Sequence, residues 1–187
     1  MIEVNGLTKT FKDRKRGVVK AVDDVSFVCR PGQIFGLLGP NGAGKTTTLR
    51  MIATILAPTA GTAVVAGHDV RIDPDRVRAS IGFLTGDTGL YDRMTARETL
   101  QYFGELYGME DDAITHRFSQ LSEQFGMTEF ADRRVGKMST GMKQKVSLAR
   151  TVLHDPPALI LDEPTTGLDI ITTRTIVRFI RQCRDEG

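Results

Sequence analysis

A glycine-rich stretch of eight residues constrains this chain more than any other feature of its sequence. It fits the pattern G-x-x-x-x-G-K-[ST], lies after an apolar run (residues 34–38), and precedes an apolar stripe at helical spacing. The pattern predicts a strand, a tight turn and a helix. Such a turn aims backbone N–H groups and the positive end of a helix dipole at an anion. The stretch consists of Gly39, Pro40, Asn41, Gly42, Ala43, Gly44, Lys45 and Thr46, and the stripe of Leu49, Ile52, Ala53 and Leu56.

The last two residues of this turn indicate what it binds. A glycine-rich turn that binds nothing requires neither a lysine nor a hydroxyl at its end. The Lys45 ammonium is a point charge suited to phosphate oxygens, and the Thr46 hydroxyl can ligate Mg²⁺. Residues 39–46 are therefore predicted to cradle the phosphates of a nucleotide.

Two carboxylates follow a second apolar run, residues 158–161. Phosphoryl transfer needs an acidic metal anchor at the carboxyl end of a strand. Asp162 is predicted to hold Mg²⁺ through a water molecule, and Glu163 to polarise the attacking water as general base. An isolated Asp-Glu pair after a strand more often belongs to a solvated turn. Because the same chain contains the glycine-rich turn, the roles of metal ligand and general base are favoured here.

Hydrophobic periodicity divides the rest of the chain into strands and helices. The amino-terminal part alternates as half-buried strands do, whereas the two continuous apolar runs, 34–38 and 158–161, are predicted to be central strands of a sheet covered on both faces. Residues 96–133 have helical spacing and look like a helical subdomain inserted into an α/β core. Further helices are predicted after Ser139 and over Thr172 to Arg184.

Composition excludes several broad classes of protein. The formal charge of +2, from 25 Lys+Arg and 23 Asp+Glu, does not fit a protein that coats a polyanion. The basic run 12–16 is predicted to be a solvated hairpin tip. The sequence contains no apolar run long enough to span a bilayer and no signal peptide, so any membrane role is expected to depend on a partner. The sequence has only two cysteines, and they lie far apart, which is typical of a protein in the reducing cytoplasm.

Taken in order, four motifs resemble those of the ATP-binding subunits of ABC transporters. They are the Walker A loop (39–46), a signature-like stretch (138–145), Walker B (158–163) and a D-loop-like segment (167–169). The resemblance covers essentially the whole chain. It implies an α/β fold with a P-loop NTPase core, an antiparallel amino-terminal β-subdomain and an inserted helical subdomain. Residues 1–88 and 156–187 would form the core and its β-subdomain, and residues 89–155 the helical subdomain.

The signature-like stretch has two interpretations on its own residues. A serine before an amphipathic helix can be a plain N-cap, or it can belong to an anion site at the helix amino terminus. The resemblance implies the second: two copies close head to tail over two ATP molecules, and this stretch meets the γ-phosphate held by the other copy. The family commonly has Leu-Ser-Gly-Gly-Gln where this chain has Met-Ser-Thr-Gly-Met. The residues concerned are Ser139, Thr140, Gly141 and Met142.

The resemblance also implies roles for residues outside these motifs. Thr47 would contact phosphate, Asp169 would act in the D-loop, and Phe11 would stack on adenine, although a phenylalanine among strand residues can instead belong to the core. Gly86 stands where the family usually has a glutamine, which leaves that role unassigned. The neighbouring Asp87 could replace it, but aspartate in such a loop is more often a turn residue.

These features imply an ATPase, with ATP and Mg²⁺ as cofactors, that forms a homodimer on binding ATP. It would energise a separate transmembrane permease at the cytoplasmic face of the cell membrane and bind no nucleic acid. Residues 81–99 and 138–145 look most like sodium-extruding, NatA-type exporters, and next like multidrug exporters. A non-transport relative acting on nucleic acid or ribosomes is the alternative, but no heptad array separates the Walker motifs. The chain also lacks the Asn-Lys-x-Asp motif of GTPases.

The carboxyl end of the sequence predicts how active this chain is on its own. Family members place a switch histidine on a further strand, and this chain ends at Gly187, where that strand would begin. The resemblance therefore implies a carboxyl-terminally truncated domain that binds Mg-ATP and hydrolyses it weakly on its own.

Overall fold

The computed structural model describes residues 1–15, 17–86 and 89–186. Contacts group the chain into two compact units: residues 1–81 with the last residues from Gln182, and residues 82–181. Across the described ranges the strands are β1 (Ile2–Asp13), β2 (Gly17–Cys29), β3 (Ala60–Val65), β4 (His68–Asp69), β5 (Ile81–Leu84) and β6 (Ala158–Leu161). The α-helices are α1 (Lys45–Ile52), α2 (Pro74–Ala79), α3 (Ala96–Leu106), α4 (Asp111–Phe125), α5 (Thr140–Thr151) and α6 (Ile170–Glu186).

An antiparallel sheet forms most of the first unit, with strand order β2-β1-β3-β4. The β1–β2 hairpin pairs from Ile2 opposite Cys29 to Asp13 opposite Gly17, with shifts of register between Val4 and Thr10. One face of the sheet packs on a core, which includes Val4, Leu7, Val22, Ala63 and Val65. This sheet confirms the predicted amino-terminal β-subdomain. Residues 12–15 of the basic run are exposed at the hairpin tip, as expected, and Arg16 lies outside the described residues.

The apolar run before the glycine-rich loop is not the central strand that its composition predicts. Residues 34–38 join no strand in the described part of the chain, and the side chains of Ile34, Phe35 and Leu38 are 55%, 46% and 95% exposed. The ring of Phe35 stacks on Phe27 with centroids 4.4 Å apart. A strand requires a neighbouring backbone for its N–H and C=O groups, and hydrophobicity alone does not supply one.

The helix after the loop ends one turn earlier than its apolar stripe predicts. α1 ends at Ile52, because Thr54 takes a left-handed conformation (φ 60°) and turns the chain away. The N–H groups of Ile55 and Leu56 then bond the carbonyl of Arg50, at 2.9 and 3.1 Å. The turn leaves Ile55 57% exposed.

The second unit contains the predicted helices at 96–133. α3 begins with a capping box in which Thr95 and Glu98 exchange hydrogen bonds, and α4 ends at Gly126, whose φ of 60° suits glycine. The two helices approach closely where a Cβ on Gly104 would lie 2.6 Å from the Ile114 side chain. Their buried face includes Leu100, Ile114, Phe118, Leu121 and Phe125.

The carboxyl end of α5 approaches β5, which pairs with β6 in a two-stranded sheet. A Cβ on Gly82 of β5 would lie 2.4 Å from the carbonyl oxygen of Thr151, so only glycine allows this approach. Near the same end of α5, the buried guanidinium of Arg150 lies 4.8 Å over the Phe103 ring, and burial lowers the pKa of Arg150. The carboxyl end of α5 is therefore anchored, and its amino end carries the signature-like stretch.

No helix in the described ranges is both long enough and apolar enough to cross a bilayer. The expected division at residues 88 and 156 stays a prediction, because the two compact units group residues by contact and not by function.

Candidate functional site

The glycine-rich loop is exposed and turns sharply at two glycines. Residues 39–43 are solvent-exposed, and Gly42 and Gly44 have φ values of 82° and 86°, which residues with a Cβ rarely adopt. The N–H of Ala43 donates to the Pro40 carbonyl at 3.2 Å and closes the turn. α1 begins at Lys45, and its described first turn contains no acidic residue, so the positive end of the helix dipole is not offset there.

The antiparallel sheet supports this loop from one side. A Cβ on Gly44 would lie 2.3 Å from the carbonyl oxygen of Ala21 and 3.1 Å from Cγ2 of Val22, both on β2. Backbone atoms cannot move aside as the end of a side chain can. The sheet therefore fixes where the loop enters the helix, and only glycine allows that contact.

We expect Gly44→Ala to destabilise the protein by about 3 kcal/mol, since it adds a backbone clash to the cost of a left-handed residue. Gly42→Ala is the matched control, because its φ is also positive but a Cβ there meets nothing within 4 Å. We expect that control to lose only about 1 kcal/mol. Urea unfolding of both variants measures the difference, and equal losses would contradict the contact with β2.

The lysine of the loop folds back over it. Nζ of Lys45 donates to the carbonyl oxygens of Gly39 and Pro40, at 2.8 and 3.0 Å. Thr46 and Thr47 follow in the first turn of α1 and are partly exposed. The ammonium group, the two hydroxyls and the helix amino terminus are thus collected beside the exposed turn, as a phosphate cradle requires.

Phe11 lies outside the hydrophobic core. Its ring is 41% exposed near the end of β1, opposite Val19 of β2, and Nζ of Lys9 lies 5.3 Å from the ring centroid. The structure therefore does not support the alternative of a core phenylalanine. The adenine contact stays a prediction.

Asp162 and Glu163 belong to the second unit and differ in exposure. Asp162 is 9% exposed, and its N–H donates to the Leu84 carbonyl at 2.8 Å, which continues the pairing of β5 and β6. Glu163 is exposed and has a φ of 50°. Its Oε2 accepts a hydrogen bond from Oγ1 of Thr166 at 3.2 Å. A sheltered carboxylate and a solvent-accessible one therefore follow the same strand, as the two predicted roles require.

Ser139 caps α5, so the N-cap interpretation is confirmed as local geometry. Its Oγ accepts from the N–H of Met142 at 3.3 Å, while Ser139 and Thr140 remain exposed. Gly141 packs against the D-loop-like segment: a Cβ there would lie 3.0 Å from Oγ1 of Thr172 and 3.5 Å from Oδ2 of Asp169. An exposed helix amino terminus remains compatible with an anion contact.

Asp169 caps the amino end of α6. Its Oδ1 and Oδ2 accept from the N–H and the hydroxyl of Thr172, at 2.9 and 2.7 Å. These two hydrogen bonds lower the pKa of Asp169, and the bond from the Thr172 N–H has the larger effect. An aspartate three residues before a threonine is a common helix cap, so the sequence carries a signal for this role in addition to the predicted D-loop role.

Gln144 makes a contact near the site that its position in the sequence did not predict. Its Nε2 donates to the Pro164 carbonyl oxygen at 2.8 Å and so joins α5 to the turn that carries Glu163. Gln144 lies within the signature-like stretch, which was the available signal. Its partner, twenty positions later, could not be predicted from spacing.

Gly86 is exposed, and a Cβ there would meet nothing within 4 Å. Among the described residues the position therefore has room for a Cβ, but it carries no side chain to fill the role of the glutamine common in the family. The alternative at Asp87 lies outside the described residues. No group of three or more His, Cys, Asp or Glu side chains suited to a metal occurs in residues 1–15, 17–86 and 89–186.

A family profile described as "ABC transporter" matches residues 22–166, well over half of the chain. The chain belongs to the ABC transporter family. The matched range includes Walker A, the signature-like stretch and Walker B, so this protein is an ATP-binding subunit that carries the ABC ATPase domain.

Similar proteins support this assignment over different shares of their length. The chain is 50% identical to the ABC transporter ATP-binding protein NatA of Bacillus subtilis, over all of this chain and 76% of NatA. It is 42% identical to the doxorubicin resistance ATP-binding protein DrrA of Mycobacterium tuberculosis, over 90% of this chain and 50% of DrrA. It covers only 32% of the Escherichia coli protein YbhF, described as a probable multidrug ABC transporter ATP-binding protein, at 37% identity.

Solved structures confirm the fold class. The dimeric bacterial ABC transporter cassette MJ0796 covers all of this chain, with a TM-score of 0.90 and 26% identity, and this chain covers 84% of it. A second dimeric structure of MJ0796, in a post-hydrolysis state bound to ADP and Pi, matches at 25% identity with the same TM-score and the same coverage. The subunit therefore has the fold of a cassette that holds nucleotide.

Proposed function

We propose that this ABC subunit binds Mg-ATP and hydrolyses it to drive Na⁺ export through a separate permease. The observation that carries the proposal is the 50% identity to NatA over the whole chain. The sodium assignment also rests on the resemblance of residues 81–99 and 138–145 to sodium-extruding exporters.

The loop residues would hold the phosphates. The backbone N–H groups of Asn41, Gly42 and Gly44 and the start of α1 would present partial positive charge, and the Lys45 ammonium adds a full one. Because Nζ of Lys45 already bonds two loop carbonyls, it is held beside the turn and loses little freedom when it moves to a phosphate oxygen. Thr47 adds a second hydroxyl after Thr46.

The donor types present fit a magnesium ion. Mg²⁺ prefers oxygen ligands and few protein side chains when phosphates supply the others, and the Thr46 hydroxyl and the Asp162 carboxylate are such donors. When bound, the ion would neutralise charge on the phosphate oxygens. Asp162 is sheltered directly after β6, and its N–H bonds the Leu84 carbonyl, so the sheet fixes the backbone that carries this carboxylate.

Glu163 would act as the general base. Its exposed carboxylate can accept a proton from a water molecule as the water oxygen bonds to the γ-phosphorus and the bond to the leaving ADP oxygen breaks. The products are ADP and phosphate. The proposed role requires only that the carboxylate be ionised and correctly placed.

A second copy would complete the site. Ser139, Thr140, Gly141 and Met142 begin α5 with an exposed helix amino terminus, which suits the γ-phosphate held by another copy. Asp169 adjoins Gly141 and would lie in the same interface. Phe11, exposed on the hairpin, would stack on adenine.

The whole protein would act at the cytoplasmic face of the cell membrane, bound to its permease, and without nucleic acid. The near-neutral charge of +2 supports the last point. Residues 89–155 would form the helical subdomain between the core segments 1–88 and 156–187.

The substrate is tested by transport. Inverted vesicles containing the full-length subunit and its cognate permease are expected to accumulate Na⁺ when ATP is added, and Lys45→Ala vesicles are expected not to. A fluorescent Na⁺ indicator measures uptake, with doxorubicin uptake measured in parallel. ATP-dependent uptake of the drug with no movement of Na⁺ would reject the sodium proposal and favour the function described for DrrA, a relative at 42% identity.

A further inference from the structure

The turn that carries Glu163 is held in an unfavourable backbone conformation. Glu163 has a φ of 50°, in the left-handed region that residues with a Cβ rarely adopt. A non-glycine residue stays in this region only where surrounding contacts hold it there, and such residues are concentrated at functional sites. The contacts of this turn therefore decide where the Glu163 carboxylate lies.

Thr166 makes the first set of contacts, from within the turn. Its N–H donates to the Glu163 carbonyl and its Oγ1 to Oε2 of Glu163, both at 3.2 Å. Both bonds are local and exposed. They close the turn but do not fix its direction relative to the rest of the unit.

Gln144 makes the other contact, from outside the turn. Its Nε2 donates to the Pro164 carbonyl oxygen at 2.8 Å, at a partly buried position. The ring of Pro164 fixes its own φ, so few soft dihedrals separate the held carbonyl from Glu163. Holding that carbonyl consequently restricts the direction of the Glu163 side chain.

α5 is a rigid platform for this donor. Residues 146–151 of the helix are buried, and Gly141 at its other end packs against Thr172 and Asp169. Gln144 is thus placed between two fixed points. It lies one turn after Gly141, inside the signature-like stretch.

We propose that Gln144 is a positioning residue for hydrolysis: it holds the strained Glu163 turn through Pro164 and connects the signature-like stretch to the base of the same copy. This inference rests on the proposed role of Glu163. It also gives a physical link between the two ATP molecules of a dimer. The amino end of α5 would face the ATP held by the other copy, while Gln144 on the same helix would position the base that acts on the ATP of its own copy.

The test compares three variants of the full-length subunit. Gln144→Met keeps the length of the side chain and removes the donor, whereas Gln144→Lys restores an N–H donor. Gln101→Met is the matched control, since the Gln101 amide also donates on a helix, but to Glu105 and Asp111 at the surface. We expect Gln144→Met to lower kcat about tenfold with the KM for ATP within about twofold of the parent, and Gln144→Lys to recover to within about threefold.

A second measurement separates positioning from a structural role. In a Glu163→Gln background, adding Gln144→Met is expected to leave the ATP-dependent dimer fraction unchanged, because the base is already absent and phosphate contacts are intact. Loss of that dimer, or equal loss of kcat in the Met and Lys variants, would show that Gln144 only supports the fold and would overturn the proposal. If Gln144→Met hydrolyses ATP at the parent rate while Glu163→Gln is inactive, Glu163 is still the base but Gln144 does not position it. Parent turnover in Glu163→Gln itself would overturn the proposed base.

Discussion

Lys45→Ala is expected to weaken ATP binding at least 100-fold, a loss of about 3 kcal/mol, and to abolish hydrolysis. The ammonium group is held by the carbonyls of Gly39 and Pro40, beside the start of α1. Its removal takes away a full positive charge and several donors from the predicted phosphate cradle. Isothermal titration with ATP in the presence of Mg²⁺ measures the affinity.

The control for this variant is Lys20→Ala. Lys20 is also an exposed lysine of the first unit, but it pairs with Asp23 on β2, at 2.9 Å, and not with the loop. We expect Lys20→Ala to bind ATP as the parent does, because an exposed ion pair contributes little. Micromolar ATP binding retained by Lys45→Ala would contradict the assignment of residues 39–46.

Glu163→Gln is expected to bind ATP normally and to lower the hydrolysis rate by about 10²- to 10⁴-fold, the usual contribution of a general base. The substitution keeps the shape of the side chain and therefore the contacts of the strained turn. Because ATP is no longer consumed, the dimer closed by ATP should persist. Single-turnover kinetics measures hydrolysis, and light scattering after size exclusion measures the dimer.

Glu123→Gln serves as the matched control, an exposed glutamate on α4 in the same unit. It should hydrolyse ATP at the parent rate and form no long-lived dimer. If Glu163→Gln behaves like this control, Glu163 is not the base. If it neither binds ATP nor dimerises, the substitution acts on the fold or the cradle, and the assignment to proton transfer is also wrong.

Most helices could be predicted from the sequence, because local hydrophobic periodicity indicates where each one lies. The stripes that begin at Leu100 and Ile114 predicted α3 and α4, and the serine at 139 predicted the cap of α5. The residues at which the helices begin and end were harder to predict. α1 ends early, at Ile52, because Thr54 is left-handed, and no helix propensity predicts that conformation.

The sequence was misleading where the structure of a segment depends on distant neighbours. Residues 34–38 and residues 158–161 have the same apolar character, yet only the second run forms a strand among the described residues. The difference lies in the backbone partner: β6 pairs with β5, and no described strand pairs with the first run. Hydrophobic composition reports a preference for burial but not the presence of that partner.

The amino-acid sequence by itself determined the chemistry of this protein: the order of its motifs, the residue types at the loop and after β6, and with them membership of the ABC transporter family. These depend on residue identity and short spacing, which the chain displays directly. Only the tertiary structure decided that Phe11 is exposed, that β2 leaves no room for a side chain at Gly44, and that the Gln144 amide bonds the Pro164 carbonyl. The last two are contacts between residues far apart in the chain, and the exposure of Phe11 also depends on which residues pack around it, so all three exist only once the chain has folded.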